Sequence, residues 1–212
     1  MTSPSLWPVP DLMPRAGRTT WQPATGVIRL AGKLAFGLEI AYEVDLPSGP
    51  LVIASNHFSH FDPPLVASAI SRPVRFVALE DLIQQSRILR ALLGHWGAIP
   101  VSRVGSNVPT VRAALRYLRR GGVVGLFPEG RRVRAWGDEP ARRGAAWLAA
   151  VAPAQLLPVA VIGTDQVLGL DNRLRPGRVR IIVGRPFPPP KSREGVELLN
   201  QQWVEWEEQR LR

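Results

Sequence analysis

Short apolar segments that alternate with helical patterns constrain the fold of this chain more than any other feature of its sequence. Leu51–Ser55, Val74–Leu79 and Val123–Phe127 are apolar runs bounded by glycine, proline or polar residues, and two further runs follow at Leu156–Ile162 and Val179–Val183. Short uninterrupted apolar runs are typical of strands that are buried on both faces. The pattern therefore predicts a largely buried sheet.

Segments with a helical pattern lie between and around these runs. In Val108–Arg120 the apolar residues recur at the spacing of one helix face, and similar patterns occupy Ile28–Tyr42, Ala141–Ala152 and Val196–Leu211. Strands that alternate with helices predict a layered α/β domain. With 212 residues, the chain is long enough for one such domain. We expect it to span residues 26–212, after a flexible leader over residues 1–25 that is rich in Pro, Ser and Trp.

The longest uncharged stretch, Gly144–Thr164, is long enough to raise the question of a membrane span. It contains Pro153 and Pro158, which are unfavourable inside a helix. The stretch therefore predicts a helix that ends near Ala152, a turn and a buried strand.

Charge and cysteine content limit the functional classes. The chain has no cysteine, which excludes disulfides, thiolate metal sites and a cysteine nucleophile. The net charge is +10, and the stretch from Arg103 to Arg143 holds ten arginines against three acidic residues, a local balance of +7. A basic middle of this kind indicates a surface that meets anions: nucleic acid, phosphorylated ligands or an anionic membrane.

The first candidate site is the segment SNHFSHFDPP, which starts at the end of the predicted strand Leu51–Ser55. Active-site groups of α/β proteins commonly lie in the loop that leaves the carboxyl end of a strand. A histidine such as His57 can there take a proton from an attacking hydroxyl, and a carboxylate such as Asp62 can hold its other ring nitrogen. No serine nucleophile is needed if the hydroxyl of the substrate itself attacks.

Two other interpretations of this segment remain open from the sequence. Asp62 followed by Pro63 is a common start of a helix, in which case Asp62 is an N-cap and His57 an ordinary loop residue. His57, His60 and Asp62 also have the composition of a metal triad, although His95 is the one further imidazole in the chain.

Two later segments carry arginines that suit phosphate. GAIPVSR ends in Arg103 after a short predicted strand, and FPEGRR, with Glu129, Gly130 and Arg132, follows the predicted strand Val123–Phe127. A guanidinium group pairs well with phosphate oxygens, and a glycine lets the backbone approach a ligand. For each segment alone, a solvated surface arginine or turn is the better interpretation.

Taken together and in this order, the three segments resemble the motifs of the glycerolipid acyltransferase family, whose best-known members are the 1-acylglycerol-3-phosphate (lysophosphatidic acid) acyltransferases. Leu157–Ala160 and Arg143–Ala146 also resemble later motifs of that family. The resemblance covers about residues 51–162. It implies the mixed, mostly buried sheet flanked by helices of the glycerol-3-phosphate acyltransferase fold.

The resemblance implies a reaction and two catalytic residues. His57 would deprotonate the acceptor hydroxyl, which would attack the acyl thioester without an acyl-enzyme, and Asp62 would orient His57. The donor would be acyl-CoA or an acyl carrier protein thioester as co-substrate, with no other cofactor and no metal. The default acceptor would be 1-acylglycerol-3-phosphate, and the product would be phosphatidic acid.

The resemblance also implies an acceptor site. Arg103 would bind the phosphate, and Glu129, Gly130 and Arg132 would shape the site around the acceptor. The family usually has Thr where this chain has Arg131, and often Ser where it has Val133. These departures leave the acceptor open to another lysophospholipid or another lipid alcohol.

A membrane lipid as acceptor requires access to a bilayer. We therefore expect a peripheral protein on the cytoplasmic face of an anionic membrane, with Trp7, Trp21, Ile28, Leu34 and Phe36 at the interface. The alternative is that the predicted helix Ile28–Tyr42 simply packs on the core.

Two alternative functions remain. One is a hydrolase that uses the histidine and the carboxylate to activate water. The other, from a different class, is an arginine-rich nucleic-acid-binding protein. The basic stretch lacks regularly interleaved aromatic residues for base stacking, so no nucleic-acid partner is expected.

Overall fold

The computed structural model describes residues 12–81, 86–102 and 107–212, and in these residues one seven-stranded sheet forms the centre of the molecule. In chain order the strands are β1 (Glu39–Tyr42), β2 (Leu51–Ser55), β3 (Val74–Leu79), β4 (Ile99–Val101), β5 (Val123–Leu126), β6 (Gln155–Ile162) and β7 (Arg180–Val183). Their order across the sheet is β1-β7-β6-β2-β5-β3-β4. All neighbours are parallel except β6 and β7, which are antiparallel. The prediction of a mixed sheet is confirmed.

Helices cover both faces of this sheet. They are α1 (Arg15–Phe36), α2 (Asp62–Ala69), α3 (Arg87–His95), α4 (Val108–Arg119), α5 (Gly144–Val151), the short α6 (Thr164–Val167) and α7 (Arg193–Leu211). One layer contains α1 packed on α2, and the opposite layer contains α5 packed between α4 and α7. All five residues of β2 are buried between the two layers. This explains why the central strands are uninterrupted apolar runs.

The parallel arrangement determines where the loops of interest lie. Because β2, β3, β4, β5 and β6 run in the same direction, their carboxyl ends lie along one edge of the sheet, which we call the carboxyl edge. The segments 56–62, 127–133 and 163–164 all leave strands at this edge. The edge therefore collects segments that are far apart in the chain.

Most of the predicted elements are confirmed. β2 and β3 have the predicted bounds, and β5, β6 and β7 differ from prediction by one residue at one end. α5 ends at Val151 and β6 begins at Gln155, so the long uncharged stretch is a helix, a turn and a buried strand. Within the described ranges, no helix has the length and apolar character needed to cross a membrane.

The predicted flexible leader is wrong for residues 15–25. α1 begins at Arg15, and the side chains of Met13 and Trp21 are 2% and 3% exposed. The indole Nε1 of Trp21 donates to the backbone oxygen of Ile70 at 3.3 Å. Burial of these large side chains against α2 outweighs the Pro- and Ser-rich composition. The first eleven residues of the leader lie outside the described residues.

The predicted helix Ile28–Tyr42 is also partly wrong. α1 ends at Phe36, and Glu39–Tyr42 form β1 in parallel with β7. The partner strand lies far along the chain, so the spacing of apolar residues within the segment could not reveal this pairing. Tertiary pairing therefore decided the structure of these residues.

Candidate active site

A hydrogen bond between His57 and Asp62 forms the centre of the candidate site. His57 Nδ1 lies 2.9 Å from Asp62 Oδ2. The side chain of Asp62 is fully buried, and that of His57 is 15% exposed. Because a carboxylate can only accept a hydrogen bond, the shared proton is assigned to Nδ1 and Nε2 is left as the basic nitrogen.

Asp62 is held by further donors. The backbone N–H groups of Phe58 and Ser59 both donate to Oδ2 at 2.7 Å, and the hydroxyl of Thr164 donates to Oδ1 at 2.6 Å. These bonds compensate for the burial of a charged group. α2 begins at Asp62 with Phe61 as its N-cap, so Asp62 is the first helical residue and not the N-cap that the helix-start interpretation expected. The carboxylate nevertheless turns back toward the loop and the imidazole.

A glycine turn after β6 places Thr164. Gly163 has φ +86°, and a Cβ atom at this position would lie 2.1 Å from the backbone oxygen of Arg178. Any other residue would therefore both strain the turn and clash with the backbone. Thr164 follows directly and reaches Asp62 from a segment 102 residues further along the chain.

The segment 127–133 holds His57 from the other side. Glu129 Oε1 accepts from the backbone N–H of His57 at 3.1 Å, and the backbone N–H of Val133 donates to the His57 carbonyl at 2.9 Å. The ring of Phe127 stacks on the imidazole with 4.2 Å between centroids. The structure thus brings the first and third predicted motifs into direct contact.

Asn56 ties the first motif to the neighbouring strand β6. Its side-chain amide donates to the Val161 carbonyl and accepts from the Val161 N–H, both at 2.7 Å. The residue is fully buried. This pair of bonds fixes the backbone next to His57.

Glu129 is an unusual carboxyl group in this site. It is 1% exposed, and burial raises its pKa from the ordinary value of 4.5 to about 7, with a smaller contribution from the charge of Asp62. Within the described residues, Glu129 Oε2 has no hydrogen-bond partner. Gly130 follows with φ +74°, and a Cβ atom there would lie 3.1 Å from Cζ of Arg142. The turn therefore needs glycine.

The structure describes one of the two arginines that the sequence predicted for the acceptor site. Arg132 is half-buried, and burial lowers its pKa while the charge of Asp62 opposes the shift. Its Nη1 donates to Asn172 Oδ1 at 3.2 Å. Arg103 lies outside the described residues, but β4 ends at Val101 on the carboxyl edge.

His60 does not complete a metal triad. Partial burial lowers the pKa of its imidazole, and the charges of Arg132 and His57 lower it further. In the part of the chain that the structure describes, no three His, Cys, Asp or Glu side chains are placed to hold a metal ion.

A cleft of about 370 Å³ opens beside the His57 loop. It is bordered by the His57 loop, by the segment after β5 and by the segment after β6. Its lining residues are Phe58, Val133, Arg134, Asp165, Gly169, Leu170, Asp171 and Arg175. Phe58 is the lining residue that comes from the His57 loop, and it follows His57 directly in the chain.

The two serines of the first motif are both bonded to the backbone. The Ser55 hydroxyl donates to the Asn56 carbonyl at 3.3 Å, and Ser59 Oγ accepts from the Phe61 N–H at 3.1 Å. Neither hydroxyl is held against the imidazole. A buried carboxylate that orients a histidine, with neither serine of this motif held against the imidazole, fits a class of enzyme in which the base acts directly on a substrate hydroxyl or on water.

The comparison with protein families agrees with this class. Residues 37–162 match the family model described as Acyltransferase, which is more than half of the chain. This chain belongs to the acyltransferase family, and it is an acyltransferase.

Individual relatives give a consistent result. The 1-acyl-sn-glycerol-3-phosphate acyltransferase of Bacillus subtilis is 28% identical over 182 residues, which cover 81% of this chain and 88% of that protein. A 1-acyl-sn-glycerol-3-phosphate acyltransferase of Chlamydomonas reinhardtii is 29% identical over 157 residues, but these cover 45% of its length. The crystal structure of the 1-acyl-sn-glycerophosphate (LPA) acyltransferase from Thermotoga maritima superposes with a TM-score of 0.68 at 21% identity, covering 92% of this chain and 83% of that one. At this identity the superposition shows a shared fold.

Several groups that hold the site were absent from the sequence prediction. Thr164 reaches Asp62 from beyond the last motif, and no local pattern marks it. Phe127 stands at the start of the third motif, so its position beside Glu129 was a usable signal for the ring contact with His57. Arg142 lies across the Gly130 turn, and its guanidinium could not be distinguished by sequence from the other arginines.

Proposed function

We propose that this acyltransferase moves a fatty acyl group from acyl-CoA or an acyl carrier protein to the hydroxyl of 1-acylglycerol-3-phosphate, and that the product is phosphatidic acid. The observation that carries the proposal is the buried Asp62 that holds Nδ1 of His57 and leaves Nε2 basic. The acceptor is supported by the names of the Bacillus subtilis and Chlamydomonas reinhardtii relatives.

In this mechanism His57 Nε2 takes the proton of the acceptor hydroxyl as its oxygen attacks the thioester carbonyl. The new C–O bond forms and the C–S bond breaks, and the leaving thiolate receives the proton from the imidazolium. Asp62 stabilises the imidazolium and keeps the ring in the required tautomer. The thioester is the co-substrate, and the proposed steps use no other cofactor.

The two departures from the family pattern, Arg131 and Val133, are compatible with 1-acylglycerol-3-phosphate as the acceptor. Arg131 is 59% exposed, and its guanidinium pairs with Glu139 at the surface. Val133 is buried and contributes its backbone N–H to the His57 carbonyl, a contact that any non-proline residue can make. Arg132, with the predicted contribution of Arg103, supplies the positive charge for the acceptor phosphate.

The test is to incubate the purified protein with acyl-CoA and a panel of lysolipids and to identify the products by mass spectrometry. We expect acylation of 1-acylglycerol-3-phosphate in preference to lysolipids with other headgroups, with one thiol released per acyl group transferred. A folded His57→Ala variant should be slower by roughly 10²–10⁴-fold, the usual contribution of a general base. Release of free fatty acid without an acylated lipid would instead indicate the hydrolase.

We also propose that the protein works at a membrane surface, through exposed apolar residues of α1 and α3. Val27, Leu30 and Leu34 lie on one side of α1 and are 67%, 60% and 79% exposed. Ile88 and Leu92 of α3 are 74% and 45% exposed. Apolar side chains exposed in this way are costly in water and suit the interface of a bilayer.

A contact near the start of α1 and the end of α3 joins the two helices that carry these residues. Thr20 Oγ1 of α1 lies 2.7 Å from His95 Nε2 of α3. Lys33 on α1 and Arg87 and Arg90 on α3 are exposed close in sequence to the apolar residues. Each basic residue near an anionic surface adds on the order of 1 kcal/mol of attraction.

The structure corrects the interfacial residues expected from sequence. Trp21 is buried, and Ile28 and Phe36 pack against the core, so these three side chains are not available to a bilayer. Leu34 is exposed as expected. Trp7 lies outside the described residues.

A further inference from the structure

Glu207 on α7 is a buried acidic residue that the proposed mechanism does not use. Its side chain is fully buried, and neither of its carboxyl oxygens has a hydrogen-bond partner within the described residues. It lies outside the residues matched by the family model. An isolated buried carboxylate is strongly unfavourable, so a group at this place must be neutral or serve a purpose that offsets its cost.

The packing of α7 places Glu207 behind the first motif. Trp203 lies one helical turn earlier on the same face of α7, and its Nε1 donates to the backbone carbonyl of Ala54 at 3.1 Å. Ala54 precedes Asn56 by two residues in the strand that carries the site. One turn further along, the carboxyl group of Glu207 faces the backbone N–H of Asn56 and feels the charge of Glu129.

The two buried carboxyl groups therefore act on neighbouring backbone positions. Glu129 Oε1 accepts from the N–H of His57, and Glu207 faces the N–H of Asn56. Glu129 Oε2 lacks a hydrogen-bond donor among the described residues, and a protonated Glu207 would have one donor to give. Two buried carboxyl groups that act on each other electrostatically cannot both be ionised without a large penalty.

The surroundings of Glu207 favour its neutral form. Burial, and then the charge of Glu129, raise the pKa of Glu207 well above 4.5, and these outweigh the opposing effects of Arg210 and the Asn56 N–H. The guanidinium of Arg210 is itself bonded to Glu43 and lies over the Trp206 ring at 4.1 Å. Complete burial without a hydrogen-bond partner among the described residues thus favours the neutral form of Glu207.

We propose that Glu207 is a positioning residue for His57: as a neutral acid it supports the Glu129 carboxylate, which in turn holds the backbone of His57. The proposal rests on the proposed role of His57 as general base. Its physical basis is that a misplacement of a catalytic group by about 1 Å can cost on the order of 100-fold in rate. Leucine would fill the same space without a proton to donate.

Two substitutions of Glu207 distinguish its proposed support of Glu129 from its contribution to packing. In Glu207→Leu we expect kcat to fall by up to about 100-fold, with little change in the KM for the thioester. The acid limb of the kcat/KM profile should move to higher pH, because Glu129 loses a donor and its pKa rises further. Glu207→Gln keeps a neutral donor and should retain most of the activity.

The controls address folding and neighbouring charges. The melting temperature of Glu207→Leu should be no lower than that of the wild type, because replacing a buried polar group by an apolar one of similar size is often neutral or stabilising. Glu205→Leu, at an exposed position of the same helix, should leave kcat and the pH profile unchanged. The other charged groups that act on the carboxyl pair, Asp62 and Arg210, are present in every variant.

An infrared measurement tests Glu207 independently of acyl transfer. The carbonyl band of a protonated carboxylic acid should be present in the wild type near neutral pH and weaker in Glu207→Gln. Absence of that difference would overturn the proposal, as would a Glu207→Leu enzyme with wild-type kcat and pH profile or equal inactivity of the Leu and Gln variants. A wild-type protein that transfers no acyl group would refute the proposed function, and the infrared result would still decide the protonation of Glu207.

Discussion

Asp62 shows at the scale of single residues how much of a catalytic pair depends on groups outside it. The carboxylate receives hydrogen bonds from the His57 ring, from two backbone N–H groups of the same loop and from the Thr164 hydroxyl. The first three donors lie within the motif, whereas Thr164 belongs to α6. The orientation of His57 thus depends partly on a residue that no motif contains.

This dependence leads to a prediction for Thr164. Thr164→Val keeps the shape of the side chain but leaves Asp62 Oδ1 without its donor, which should lower the free energy of unfolding by about 1–3 kcal/mol. We expect kcat to fall while both KM values change little, because His57 is held less firmly. Thr164→Ser, which keeps the hydroxyl, should remain close to wild type. Asp62→Asn should lose far more activity, by up to about 10⁴-fold, through the wrong tautomer of His57. Steady-state kinetics and thermal denaturation measure these effects, and a fully active Thr164→Val enzyme would contradict them.

A second prediction at this scale concerns Arg103. Its role as phosphate ligand is inferred from the sequence motif, and β4 ends at the carboxyl edge two residues before it. Arg103→Ala should raise the KM for the acceptor by the loss of a charge-assisted contact, on the order of 1.5–3 kcal/mol, and leave the KM for the thioester nearly unchanged. Arg119→Ala is the matched control, because Arg119 is exposed at the end of α4, next to the amino end of β5. An effect confined to the thioester would assign Arg103 to the donor.

At the scale of elements, α1 has two faces with different tasks. Trp21, Thr25 and Gly32 are buried on the side that packs on α2, while Val27, Leu30 and Leu34 are exposed. The two interpretations of this segment, core packing and membrane contact, therefore apply to opposite faces of one helix. The packed face is shown by the structure, and the membrane role of the exposed face is a proposal.

Liposome binding tests the exposed face of α1. Replacing Val27, Leu30 and Leu34 by Gln should weaken co-sedimentation with anionic vesicles and leave the melting temperature nearly unchanged, because Gln is a good helix former and the residues are exposed. Leu198→Gln is the control, since Leu198 is 55% exposed on α7 in the opposite layer. Binding of the wild type should also weaken with salt. Equal binding of the triple variant and the wild type would exclude this face as the membrane contact.

The buried carboxyl groups also affect the stability of the whole molecule. Glu207 has a folded-state pKa well above 4.5, so its contribution to stability is present below pH 4.5 and is lost as pH rises through the folded-state pKa. Glu207→Gln lacks this loss, and it should therefore become steadily more stable relative to wild type as pH rises above 4.5. The largest slope for one such group is about 1.4 kcal/mol per pH unit. Denaturant unfolding at a series of pH values measures the difference, and exposed Glu205→Gln is the control. A constant difference at every pH would show that Glu207 ionises normally in the folded protein.

The sequence by itself determined the class of fold and the central pair. Short apolar runs between glycine, proline and polar residues mark strands, so β2, β3 and β5 could be located to within one residue from the sequence. His57 and Asp62 lie in one short loop, and a local motif is enough to pair them. Where long-range contacts determined the local structure, prediction failed: Trp21 is buried against α2, and Glu39–Tyr42 become a strand because β7 pairs with them.

The tertiary structure alone decided which distant groups complete the site. Thr164, Glu129 and Glu207 come from three separate parts of the chain and meet around the first motif, because parallel strands bring their following loops to one edge and α7 packs across the end of β2. Glu129 lies in a recognisable motif, whereas Thr164 and Glu207 have no distinguishing sequence signal. A buried hydrogen bond or carboxyl pair depends on distances of a few ångströms, and such distances between remote residues are set by the packing of the whole domain.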